Sequence, residues 1–190
     1  MKILVSSIVL SAFLFVSPAL PASEPVDGGE TFMAHVVAFS SPQGAATDTL
    51  TLRVERWTNP EEVRVLLNLL GEKGMKAFQR ALNEQDLGSL AGTATLGWPI
   101  NLATSEQTAD GRSIRLILER PLLGREIAKL ERSADYPFVV VEFTLDAQGG
   151  GKGRVVPAAK LRMGPRGELE ILPYSEPNEQ RILSVRKLER

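Results

Sequence analysis

The chain contains no cysteine and a single histidine, His35. The first absence removes disulfides, thiolate zinc ligands and a thiol nucleophile, and with them the cysteine on which a diacylglycerol anchor is built. The second leaves zinc without its usual nitrogen ligands, so any metal would have to be a hard cation held by carboxylates. A serine–histidine–aspartate triad would depend on His35 alone, and no G-x-S-x-G elbow is present to locate its nucleophile. An excess of one charge is missing too: 22 Lys and Arg face 23 Asp and Glu, a formal net charge of −1, with no long run of either sign. On that balance, attraction to nucleic acid or anionic lipid has no electrostatic basis.

Long apolar runs are limited to one, Ile3 to Val16. Lys2 precedes it, Pro18 breaks it, and small residues lead to Ala22, which is the order of a secretory signal. The run is shorter than the ~20 residues that a bilayer core requires, so no membrane span is expected. Residues 1–22 are predicted to be a signal peptide cleaved after Ala22, with Ala19 as the alternative site. The mature protein would start at Ser23, be exported to the periplasm or the medium, and keep 168 of the 190 residues. Losing Lys2 leaves 21 bases against 23 acids, a net charge of −2. Residues 23–30, with Pro25, Gly28 and Gly29, read as a flexible leader, and 31–190 as a single mostly-β domain.

Leu50, Leu52 and Val54 alternate with Thr51, Arg53 and Glu55, which predicts a half-buried strand over Thr49 to Trp57. Phe32 to Phe39 is apolar on both faces and needs a cover on its outer side. Thr58-Asn59-Pro60-Glu61-Glu62 starts a helix, because Thr58 or Asn59 can cap it, Pro60 suits the first turn and the acids suit the positive dipole end. Val63, Leu66, Leu67 and Leu70 then form one stripe. Gly71 and Gly74 bracket a break before a second stripe of Met75, Phe78, Ala81 and Leu82, and the helix pair is expected to cover the first strand.

Beyond Leu87 hairpins dominate, with strands predicted at Ser89 to Thr95, Ile100 to Thr108, Ile114 to Leu118, Phe138 to Leu145, Arg154 to Met163, Glu168 to Leu172 and Arg181 to Val185. Pro121 to Ser133 is charged and irregular, with one helical turn expected near Arg125 to Leu130. Nine strands and an early helix pair predict a mainly β fold, α+β at the margin: an antiparallel meander with the helices inserted after the second strand. A closed barrel is favoured over a sandwich because closure removes exposed edges.

Gly149-Gly150-Gly151-Lys152-Gly153 lacks the spacing of a phosphate loop, having Asp146 and Gly153 where a glycine and a Ser or Thr are needed, and is expected to be a flexible hairpin tip. Asp110-Gly111 is likewise a turn. His35 is expected to be a buried or half-buried structural residue. Glu61, Glu62, Glu131 and Asp135 read as capping or solvated acids, with no environment that would separate paired pKa values. Trp57, Trp98 and Tyr136 each fall at a strand end, where an aromatic ring can line a cavity mouth.

Leu96-Gly97-Trp98-Pro99-Ile100, Glu119-Arg120-Pro121, Asp135-Tyr136-Pro137-Phe138, Glu142, Gly151-Lys152-Gly153 and Ala159-Lys160 resemble a family of uncharacterised bacterial secreted proteins. The resemblance runs from about Phe32 to Arg186. It implies a bacterial envelope or extracellular setting, and the family has no established activity to carry over. The expected role is a binding module for a small apolar or amphipathic ligand at Trp98, Arg120, Asp135 and Tyr136. A structural or protein-interaction domain of the envelope ranks second, so an envelope protein is the alternative partner, and a hydrolase ranks third. No catalytic residue, metal or cofactor is assigned.

Overall fold

The structure is a computed structural model that describes residues 28–41, 44–93, 97–109, 111–120, 135–165, 167–174 and 180–189. The expected signal peptide and the expected helical turn near Arg125 lie outside the described residues. Among the described residues, ten strands and two helices run in the order β1 (Glu30–Ser41), β2 (Gly44–Val54), α1 (Pro60–Lys73), α2 (Met75–Asn83), β3 (Gly88–Ala91), β4 (Trp98–Pro99), β5 (Leu102–Thr108), β6 (Gly111–Glu119), β7 (Phe138–Leu145), β8 (Gly150–Met163), β9 (Leu169–Pro173) and β10 (Gln180–Leu188). The fold is mainly β and antiparallel, with the helix pair after the second strand, as expected. The predicted leader ends one residue too late, because Glu30 opens β1 and is buried.

Hydrogen-bonded neighbours follow the order β4-β3-β2-β1-β10-β8-β7-β6-β5, and β9 pairs with β8. The favoured closed barrel is therefore not formed, since β4 and β5, the two ends of that path, share no ladder. Ile100 and Asn101 join them covalently, with Ile100 bonded back to Gly88 and Asn101 to Ile117. The sheet nevertheless folds over on itself. Glu30 on β1 and Arg112 on β6 are four strands apart along the path, about 19 Å in a flat sheet, yet their side chains meet at 2.6 Å. Strand twist accumulating across ten strands, with bulges in β1, β7 and β10, supplies the curvature.

Inside the fold, Phe32, Leu52, Ile114, Leu116, Leu118, Val141 and Phe143 form one packed core, with the rings of Phe32 and Phe143 edge-on at 5.3 Å. A second core lies on the outer face, where Leu66, Leu70, Phe78 and Leu82 of the helices meet Leu102, Ile117, Phe138, Val140, Val156 and Leu161. The helices thus cover β5 to β8, and not β1 as the sequence suggested. Their placement follows from where the outer face is apolar: Ile117, Val140 and Val156 lie in one register row. The outer positions of β1 instead include the exposed His35.

Asn59 caps α1 in a full capping box, its side chain accepting from Glu62 N at 2.8 Å while Glu62 accepts from Asn59 N at 3.0 Å. Gly71 stays inside α1, and the break comes at Gly74 alone, whose φ of 77° is a conformation that glycine adopts cheaply.

The glycine-rich segment differs from a flexible tip. Asp146 makes the turn, accepting from Gln148 N and Gly150 N at 2.9 Å each, and Gly150 to Gly153 already belong to β8. A Cβ on Gly153 would lie 2.0 Å from the Glu142 carbonyl oxygen and 2.6 Å from Phe143 Cβ. Gly153→Ala is therefore expected to lower stability by about 1–3 kcal/mol by forcing the β7–β8 ladder apart. Urea midpoints would check this, with Lys152→Ala, on the exposed face of the same strand, staying within about 0.5 kcal/mol of the parent.

Candidate functional site

β6 ends at Glu119 and β7 begins at Phe138, and these two residues are cross-strand partners. The ends of the intervening connection are consequently held side by side. Arg120 N donates to the Pro137 carbonyl at 2.6 Å, and Arg120 Nε donates to the Tyr136 carbonyl at 3.2 Å. Pro137, which lacks an N–H, ends the ladder at this point. Arg120 and the Tyr136-Pro137-Phe138 segment, 16 residues apart in sequence, form one clamp.

Tyr136 is partly buried and packs edge-on against Tyr174, with centroids 5.1 Å apart and planes at 70°. Such a pair is worth about 0.5–1.5 kcal/mol beyond its area burial. Tyr174 is fixed by its own N–H, which donates to the Ala158 carbonyl at 2.9 Å, and its side of the pair is 42% exposed. Sequence reading passed over Tyr174, although it follows β9 and met the strand-end criterion that singled out Tyr136.

The other candidates separate. Asp135 is exposed. Trp98 sits on the two-residue strand β4, opposite Leu90, and is 37% exposed, with no aromatic partner among the described residues. Trp57 lies at the far end of the sheet, since its ring stacks 4.8 Å from the Arg112 guanidinium and Arg112 pairs with Leu145 at the opposite end of β7. That strand is about 26 Å long.

The Trp57 end holds the most buried charge. Glu30 is 5% exposed; Arg112 Nη1 donates to its Oε1 at 2.9 Å, Arg112 Nη2 lies 2.6 Å from Oε2, and Lys187 Nζ lies 2.5 Å from Oε1. Burial alone would raise the Glu30 pKa, but the hydrogen bonds and charges of Arg112 and Lys187 outweigh it and hold the carboxyl below its ordinary value. Arg112 Nε also donates to Ser105 Oγ at 2.5 Å. Every charged group here has a partner, so the cluster works as a structural plug.

His35 is exposed and shares a 3.1 Å hydrogen bond between its Nδ1 and Thr49 Oγ1, so the expected buried or half-buried histidine is corrected. No group of three metal-ligating side chains occurs among the described residues, and no helix there is long and apolar enough to cross a membrane. No family model, curated protein or solved structure matches this chain.

Proposed function

We propose that this chain is an exported binding module, periplasmic or extracellular, that holds a small apolar or amphipathic ligand on the outside of its fold beside Tyr136 and Tyr174. The observation that carries the reading is the packed interior: Phe32, Leu52, Ile114, Leu116, Leu118 and Phe143 are at most 2% exposed, so ligand binding belongs to the surface. There, two ladder-anchored aromatic rings offer apolar area, and Arg120 and Asp135 beside them offer charge of both signs to orient a polar end. The hydrolase reading has no comparable support, because His35 has a threonine partner and no carboxylate behind it among the described residues.

Native mass spectrometry of the protein from its own exported fraction tests both halves of the proposal. The chain mass should correspond to a start at Ser23, and a bound small molecule should be released by organic extraction. Tyr136→Ala with Tyr174→Ala should weaken rebinding of that molecule by about ten-fold or more. Trp98→Ala should change it by less than about two-fold, its ring lying outside the pair. A ligand-free protein, or binding indifferent to the tyrosine variants, would overturn the site. An envelope protein captured at fixed stoichiometry would replace the small ligand with a macromolecular partner.

A further inference from the structure

Among the described residues no helix covers the outer face of β1, and a thioether stands there. Met33 is partly exposed, with Thr51 of β2 and Arg186 of β10 as its register partners on either side, both of them exposed. His35, also exposed, follows two residues along the same strand face. The surroundings of Met33 are thus polar. Its sulfur accepts a hydrogen bond from Arg186 Nη2 at 3.8 Å, although a thioether is a weak acceptor.

The other two methionines among the described residues sit differently. Met75 packs against the second core. Met163 lies against α1, where a Cβ on Gly71 would be 3.1 Å from its Cε and 3.2 Å from its Sδ. An oxygen added to either sulfur would bring a polar atom against apolar side chains or a crowded helix surface.

With no cysteine in the chain, thioethers are its softest nucleophiles. Oxidation of a methionine adds one oxygen atom and makes the side chain polar. At Met33 the existing gap fits that atom. An S–O bond of about 1.5 Å and a charge-assisted hydrogen bond of about 2.8 Å together span 3.8 Å when they meet at about 120°, close to the lone-pair direction of the oxygen. The sulfoxide can therefore take up the Arg186 guanidinium with both side chains where they already are.

We propose that Met33 is a tolerated, reversible oxidation site, at which a peroxide or a hypohalous acid modifies the folded protein and Arg186 holds the product. With hydrogen peroxide, a sulfur lone pair forms the S–O bond as the O–O bond breaks, and a proton shift releases water. The sulfur loses two electrons and the peroxide gains them. A methionine sulfoxide reductase, with a thiol as electron donor, returns the thioether.

The protein from its exported fraction would be treated with increasing hydrogen peroxide and mapped by peptide mass spectrometry. Met33 should gain one oxygen at least about five-fold faster than Met75 or Met163. Met33→Leu should abolish that fast phase, and sulfoxide reductase with dithiothreitol should restore the original mass. The thermal midpoint of the parent should not fall when Met33 alone is oxidised. Its response to oxidation should be more favourable, by about 2–4 °C, than that of Arg186→Ala, in which the sulfoxide has lost its cation. Comparing the two responses cancels whatever else the arginine contributes. Oxidation of Met75 or Met163 as fast as Met33, a fall in the parent's midpoint, or equal responses in the parent and Arg186→Ala would overturn the proposal.

Discussion

Phe78→Asp is expected to unfold the protein, or to cost at least about 4–5 kcal/mol if a folded state survives. Phe78 is fully buried between the helices and the sheet, its ring edge-on to Phe138 at 6.2 Å. The substitution removes an aromatic side chain, worth about 3–5 kcal/mol on truncation, and leaves a carboxylate with no cation in the second core. Against a total stability of about 5–15 kcal/mol, that loss is decisive. Leu66→Asp should act in the same direction, since Leu66 is buried in the same core. Val65→Asp, one residue away but 55% exposed, should shift stability by less than about 0.5 kcal/mol. Thermal or urea midpoints of the three variants would decide it. A midpoint for Phe78→Asp close to that of Val65→Asp would show the helix pair to be peripheral to stability.

Arg112→Met is expected to destabilise the fold by about 3–5 kcal/mol, because it strands Glu30 in a site that is 5% exposed. Lys187, with its side chain 47% exposed, compensates only in part. Replacing both partners, Glu30→Met with Arg112→Met, should recover most of the loss, since no buried charge is left unpaired. The same site makes stability pH-dependent. The Glu30 pKa is lower in the folded protein than its ordinary 4.5, so its contribution is fully present above that value and is lost as pH falls through the folded-state pKa. Acid titration of urea midpoints should therefore fall less steeply for the double variant than for the parent. It should not flatten completely, because Glu142 is shifted the same way: burial opposes its ionisation, and Arg154 and Arg115 outweigh that effect. Equal acid slopes in the two proteins would remove Glu30 as a contributor.

What was legible in advance depended on range. Helix α1 was readable at its start up to the choice between Thr58 and Asn59 as cap, because a capping residue, a first-turn proline and two acids act within five positions. Most strands were readable for a similar reason: alternation reports local burial, and the two faces of β7 follow from its own residues. The short β4 was missed, since two residues carry no period, and so was the strand character of Gly150 to Gly153, where glycines are required by a neighbouring carbonyl that local sequence does not reveal. Of the candidate site residues, the strand-end criterion found Tyr136 and Arg120, which the β6–β7 register brings together, and also found Trp98, which another ladder carries.

By itself the sequence determined the class of the fold, the place of the helix pair after the second strand and the absence of thiol chemistry, because each rests on contacts within a few residues or on composition. The tertiary structure alone decided which surface the helices cover, that the sheet ends at β4 and β5 without closing, and that Glu30 meets Arg112 from 82 residues away. It also set the Met33 sulfur beside Arg186 across the β1–β10 ladder. Each of these depends on strand register and on twist accumulated over the whole sheet, which no local pattern of residues reports.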